Sequence, residues 1–271
     1  MTKPLKIGVV GASGRMGRMV INNVLHLPGC ELLGASEVSG SKYLGVDAGF
    51  LVGAENNGII ITDDTEKMFM GLDVVIDFTI PDATQKHANI ASSAGCALIV
   101  GTTGMKESHQ ASLLSASNNI PIVMAPNMSA GVNLLFAITQ QVAQALDEDF
   151  DIEIIEMHHK HKIDSPSGTA LGLGQAAAKG REIDFDSSKI LSREGITGER
   201  KVGSIGFATL RGGDVVGDHT VVFAGAGERI EISHKATDRA IFARGALRAA
   251  FWAVTKPAGL YSMNDVLGLN F

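Results

Sequence analysis

Residues 11–17, Gly-Ala-Ser-Gly-Arg-Met-Gly, follow directly on an apolar run at residues 7–10. Three glycines at this spacing let a chain leave a strand in a tight turn, bring its backbone close to a ligand and pack the next helix on the strand. Met16, Val20, Val24 and Leu27 then recur at helical spacing, and Pro28-Gly29 ends the helix. A second apolar run at 31–35 completes a strand–helix–strand unit. Parallel strands covered by helices follow from that order. The helix N-terminus, with its unpaired N–H groups and positive dipole end, faces whatever sits over the turn and suits a pyrophosphate.

The acidic residue such a site needs is present. Glu37 lies 20 residues beyond Gly17, at the end of the second strand, where it can accept hydrogen bonds from a ribose diol. Further apolar runs at 74–78, 97–100 and 122–124 lack alternation and read as strands buried on both faces. The turn Gly101-Thr102-Thr103-Gly104 follows the fourth run, and Ala125-Pro126-Asn127-Met128 follows the fifth. Strand ends of an open parallel sheet line its ligand crevice, so these turns are expected to orient the nicotinamide half of a dinucleotide. Helix capping and plain turn formation are the competing uses of the same residues.

The pattern changes after a helix expected at 131–146. Strands at 152–157, 204–210, 219–224 and 228–234 show more alternation and glycine-rich turns, and a last helix at 238–254 is expected to return to the first domain. The fold class expected is α/β. A Rossmann-like doubly wound parallel sheet spans 1–129 and 236–271, and a second α+β domain on a mixed or antiparallel sheet spans 130–235.

Composition excludes several classes. A net charge of −6 without a basic stripe argues against a nucleic-acid partner. Two cysteines, Cys30 and Cys96, in 271 residues are too few for a disulfide framework and read as small core residues. The apolar run after Lys6 is too short for a signal peptide or a membrane span, so no membrane partner and a cytoplasmic location are expected.

The strand at 152–157 runs into His158-His159-Lys160-His161-Lys162, followed by Ile-Asp-Ser-Pro-Ser-Gly-Thr at 163–169. Five bases at a strand end can floor an anion-binding cleft, and a histidine there can donate a proton near neutral pH. Pro166 to Thr169 opens the next helix, offering N–H groups and two hydroxyls to a carboxylate. A solvated basic loop is the bland alternative. A metal site is not expected, because adjacent His158 and His159 on an extended segment point opposite ways.

At residues 153–169 the chain resembles the dihydrodipicolinate reductase family. The resemblance extends to residues 11–17, Phe78-Thr79 with Pro81, the turn at 101–104, Arg193-Glu194-Gly195 with Thr197-Gly198, and residues 242–247. It implies reduction of 4-hydroxy-2,3,4,5-tetrahydrodipicolinate, a cyclic dicarboxylate of diaminopimelate and lysine biosynthesis, with hydride from NADH or NADPH. It further implies His158 as general acid with Lys162 as its partner, and His159, Gly168 and Thr169 as substrate-carboxylate ligands. Gly11, Ala12, Ser13, Gly14, Arg15, Met16, Glu37, Gly101, Thr102, Thr103, Ala125, Pro126, Asn127 and Met128 fall on its cofactor-binding positions. It implies a homotetramer paired through the second domains' sheets. One departure stands out: much of the family has arginine after the strand-end acid, and here Val38 follows Glu37. A carboxylate facing a 2′-phosphate at ~4 Å costs about 1 to 4 kcal/mol without that arginine, so NADH is the cofactor expected. Two other readings remain at this stage, a non-catalytic dinucleotide-binding regulator and an oxidoreductase acting on another imine or aldehyde.

Overall fold

The computed structural model describes residues 3–269; residues 1, 2, 270 and 271, at the ends of the expected first domain, lie outside the described residues. The chain divides into two compact units, one running up to Ala130 and resuming over Ala240–Gly268, the other running from Gly131 to Arg239. The breaks fall after residues 130 and 239, against 129 and 235 expected from sequence.

In the first unit β1 (Leu5–Val10), α1 (Arg15–His26) and β2 (Cys30–Ser36) come first, then the short α2 (Ala48–Leu51) and α3 (Thr65–Phe69). They are followed by β3 (Val74–Asp77), α4 (Pro81–Ala94), β4 (Ala97–Val100), α5 (Glu107–Ala116) and β5 (Pro121–Met124). The second unit holds α6 (Ala130–Ala145), β6 (Asp151–His158), α7 (Gly168–Gly180), α8 (Phe185–Ser188), β7 (Lys189–Ile190), β8 (Ile205–Arg211), β9 (Gly217–Gly225) and β10 (Glu228–Ala236). The chain then returns with α9 (Ala240–Ala253), β11 (Gly259–Tyr261) and α10 (Met263–Leu267).

The first sheet has the order β11-β5-β4-β3-β1-β2, and every neighbouring pair is parallel. The winding reverses beside β1, which has β2 on one flank and β3 on the other. A crevice at the carboxyl ends of the strands is the consequence. β3 and β4 are buried throughout, which explains their lack of alternation. β2 departs from that expectation, since Leu33 is exposed on this edge strand. Cys30, its first residue, is likewise only half-buried, whereas Cys96 lies in the core, where burial pushes its thiol up to about 11. α9 packs its alanine-rich face into the first unit's core, and a Cβ on Gly245 would collide with the Met128 carbonyl.

The second sheet, β10-β9-β6-β8-β7, is mixed. β6 pairs antiparallel with β9 and parallel with β8. Leu135 and Ala143 of α6 and Leu173 and Ala177 of α7 cover one face, over Ile152, Ile154, Phe207, Val221 and Phe223. Each large side chain buried there contributes about 1.5–3 kcal/mol. The other face leaves Ile155 of β6 and Leu210 of β8 exposed. Among the described residues no helix is long and apolar enough to cross a membrane.

Candidate active site

The glycine turn and the strand-end acid meet in the first unit. The Ala12 N–H donates to the Ser36 carbonyl at 3.0 Å, and the Ser13 hydroxyl donates to Glu37. Gly11 adopts a left-handed φ of 65°, and a Cβ on it would come within 2.7 Å of Thr79 Cγ2. A Cβ on Gly17 would run into the Gly11 carbonyl, so α1 sits against the turn itself. Gly14 caps α1 without a side-chain hydrogen bond, while Gly14 and Arg15 stand exposed. Backbone donors at a dipole's positive end, a cradle that side chains would fill and a carboxylate at the strand end together fit a dinucleotide.

The other two turns lie at the carboxyl ends of β4 and β5. Ala125 N–H donates to the Val100 carbonyl at 3.1 Å, and Asn127 Oδ1 accepts from the Ser129 N–H at 2.8 Å. Thr103 is exposed, but Thr102 is buried and its hydroxyl accepts from Thr84 at 2.8 Å and lies 3.3 Å from Asp77 Oδ1. The two hydroxyls expected to face a ligand are thus divided, one outward and one turned into the protein.

Sequence reasoning did not single out the group that holds Thr102. Asp77, fully buried at the end of β3, accepts from the Thr79 N–H at 2.8 Å and the Thr79 hydroxyl at 2.6 Å, and His87 Nδ1 lies 2.8 Å from its other oxygen. An acid closing a wholly apolar strand was the available signal, since a buried carboxylate needs donors.

In the second unit β6 alternates strictly over its inner positions. Ile152, Ile154, Glu156 and His158 are all buried on one face. Glu156 pairs with His158 Nδ1 at 2.5 Å, takes two bonds from Arg211 of β8 at 2.8 and 3.0 Å, and accepts from the Ser167 N–H at 2.9 Å. Burial raises this carboxyl, but the bonds from His158, Arg211 and Ser167 outweigh it and hold it at about 2. Ser167 also caps α7 through Ala170 N–H, and its hydroxyl lies 3.2 Å from His219 Nε2 of β9. His219 meets the His158 ring edge-on at 5.1 Å; burial first, then the charge of His158, lowers it to about 4. It is therefore neutral near pH 7. The far nitrogen of His158, Nε2, looks toward Gly217, where a Cβ would come within 3.0 Å.

Glu156 thereby joins His158 to the turn at 167–169, where Gly168 is exposed and Thr169 half-buried. His159 points elsewhere: its Nε2 lies 3.1 Å from Arg239, and burial with that arginine's charge lowers its pKa. Lys162 pairs with Asp164 at 2.8 Å, and His161 is exposed. No cluster of three potential metal ligands occurs among the described residues.

Comparison with known proteins fits this arrangement to a family. The model of the dihydrodipicolinate reductase N-terminus matches residues 5–128, and that of its C-terminus matches residues 131–267. The chain belongs to the dihydrodipicolinate reductase family. A 4-hydroxy-tetrahydrodipicolinate reductase from Ruegeria sp. (strain TM1040) is 54% identical to this reductase over 269 residues, covering 99% of this chain and 100% of the relative. One from Cereibacter sphaeroides (strain ATCC 17029 / ATH 2.4.9) is 53% identical over 263 residues, covering 97% and 98%. The solved dipicolinate-bound dihydrodipicolinate reductase from Paenisporosarcina sp. TG-14 covers 96% of this chain and 97% of its own, with a TM-score of 0.76 at 21% identity, and shares the fold. The reductase is an NAD(P)H-dependent oxidoreductase of lysine and diaminopimelate biosynthesis, and a nicotinamide dinucleotide is its cofactor.

Proposed function

We propose that this reductase converts 4-hydroxy-2,3,4,5-tetrahydrodipicolinate to tetrahydrodipicolinate, with His158 donating the proton and Lys162 assisting. Per turnover one hydride and one proton enter and one water leaves, which balances the two-electron reduction. The nicotinamide supplies the hydride. Gly11 to Met16 and Glu37 would hold the cofactor's pyrophosphate and ribose, and residues 101–103 and 125–128 its nicotinamide end. Thr102 contributes through its backbone, because its hydroxyl is committed to Thr84 and Asp77.

In the second unit, the His159 ring and the Gly168–Thr169 turn bind the ring's carboxylates through N–H groups. Lys162, paired with Asp164, exchanges that partner for a substrate carboxylate when the ring binds. Electron density pushed onto the ring by the incoming hydride is met by the imidazole proton, which lowers the barrier as charge develops. The observation that carries this reading is the held imidazole: Glu156 and His219 fix the His158 ring and leave Nε2 on the side where glycine makes room.

NADH is the preferred cofactor in this proposal. Val38 is 74% exposed beside Glu37 and offers no charge, Arg18 is spent on the carbonyls of Ser13 and Leu51, and Lys42 lies over the Tyr43 ring. A clear NADPH preference in kcat/KM under one condition contradicts it. The exposed sheet face with Ile155 and Leu210 supports the homotetramer that the family resemblance implies.

The test couples enzymatically generated substrate to NADH oxidation, for wild type, His158→Gln and Lys162→Ala. Loss of kcat with intact NADH binding supports the two roles, and unchanged turnover in both variants refutes them.

A further inference from the structure

We infer that Glu156 and Arg211 are positioning residues that fix which nitrogen of His158 carries the catalytic proton, and this rests on the reading of His158 as proton donor. The case begins with geometry. Glu156 stands on the buried face of β6, two residues before His158, where an apolar side chain would continue the core. Its carboxylate instead accepts from His158 Nδ1, from both Arg211 terminal nitrogens and from the Ser167 N–H, so each oxygen has two partners.

An ionised carboxylate only accepts. His158 Nδ1 must therefore carry a hydrogen in both the neutral and the charged ring. All gain and loss of the proton is confined to Nε2, the nitrogen that looks toward Gly217. Arg211 serves this arrangement in two ways. Its two bonds keep Glu156 ionised, and its second terminal nitrogen also donates to the Asp164 carbonyl at 2.7 Å, tying the basic loop to the same carboxylate. Ser167 extends the device to the start of α7, so the imidazole, the loop and the turn proposed to bind carboxylates share one anchor.

The charged and titratable groups around His158 are Glu156 on its own strand, His159 next to it, Arg211 on β8, His219 on β9, and Lys162 and Asp164 in the following loop. Glu156 is the acid bonded to the ring, and His219 stays neutral. Glu156 is therefore the counter-charge for the imidazolium. Glu156→Gln replaces that counter-charge with a neutral amide against the ring.

The test has two parts, both on the full-length enzyme. Histidine-selective ¹⁵N NMR of the wild type, with His158 assigned by its absence in His158→Gln, reads the tautomer of the neutral ring. Hydrogen on Nδ1 is expected, and hydrogen on Nε2 overturns the inference. This part needs no Glu156 variant to fold. In Glu156→Gln, kcat is expected to fall at least about tenfold and by no more than the ~10²–10⁴-fold that general acid catalysis supplies. The high-pH limb of its kcat profile is expected to move down by about one unit while KM for NADH changes less than twofold. An unmoved limb in folded Glu156→Gln, with turnover lost in His158→Gln, overturns the inference alone. Full turnover in His158→Gln overturns the reading of His158 as the acid, and the inference with it.

Discussion

The two units each bury a carboxylate against a histidine, Asp77 with His87 at 2.8 Å and Glu156 with His158 at 2.5 Å, yet the pairs are built for different work. Asp77 is surrounded by neutral donors, the N–H and hydroxyl of Thr79 and the hydroxyl of Thr102, and no arginine reaches it. Its histidine packs against Phe69 at 6.0 Å and completes a set of bonds that shapes the turns after β3 and β4. Glu156 has Arg211 as a counter-cation, and its histidine keeps a second nitrogen directed at Gly217, where a Cβ would press to within 3.0 Å of it. A buried carboxylate–histidine contact alone does not mark a proton donor. The second cation and the freed nitrogen do.

The comparison can be broken most severely at Arg211. Arg211→Met leaves Glu156 buried without its cation and is expected to destabilise the protein by about 3 kcal/mol, read by urea unfolding. A cost below about 1 kcal/mol shows that Glu156 does not depend on that cation and erases the contrast with Asp77.

Acid is the next probe. Glu156 titrates near 2 in the fold against an ordinary 4.5, so its stabilisation is full above about 4.5 and is lost as pH falls toward 2. His219 stays neutral in the fold down to about 4, whereas an unfolded chain takes that proton below 6.5. The unfolded state therefore binds more protons between 6.5 and 4, and stability falls with pH across that window as well. Each window amounts to up to about 3 kcal/mol. Thermal unfolding at stepped pH is expected to show a decline beginning near 6.5 that His219→Gln makes shallower, leaving the lower window in place. A wild-type profile flat from 6.5 to 4 contradicts the burial of His219 as a neutral base.

The smallest effect sharpens the other side. His87→Leu removes one donor from Asp77 and is expected to cost about 1–3 kcal/mol. Because the turn at 101–104 loses part of its support, KM for NADH rises while the pH profile of kcat stays in place. A shifted profile would give His87 a part in the chemistry.

Much of this was legible before the fold was known, for identifiable reasons. β3 and β4 announce themselves as unbroken apolar runs because both their faces are buried, and the glycine turn because no other residue fits residues 11 and 17. β11 went unseen, since three residues, Gly259–Tyr261, carry no period. The site divides the same way. His158 stood in a conspicuous basic run, whereas Glu156 and Arg211 are 55 residues apart and meet only because β6 and β8 pair in parallel register. The hint was local all the same: a glutamate in step with Ile152 and Ile154 on a core-facing strand has to find partners. Nothing local told that Thr102 would turn inward, because its partners Thr84 and Asp77 come from other elements.

The two histidines can be set against each other directly, by measuring kcat for His158→Gln and His87→Leu in one assay at saturating NADH and substrate. The expected outcome is a fall of about 10²–10⁴-fold for His158→Gln and a kcat within about twofold of wild type for His87→Leu. Equal losses in the two variants, or wild-type turnover in His158→Gln, would contradict the assignment of proton donation to the second unit's histidine.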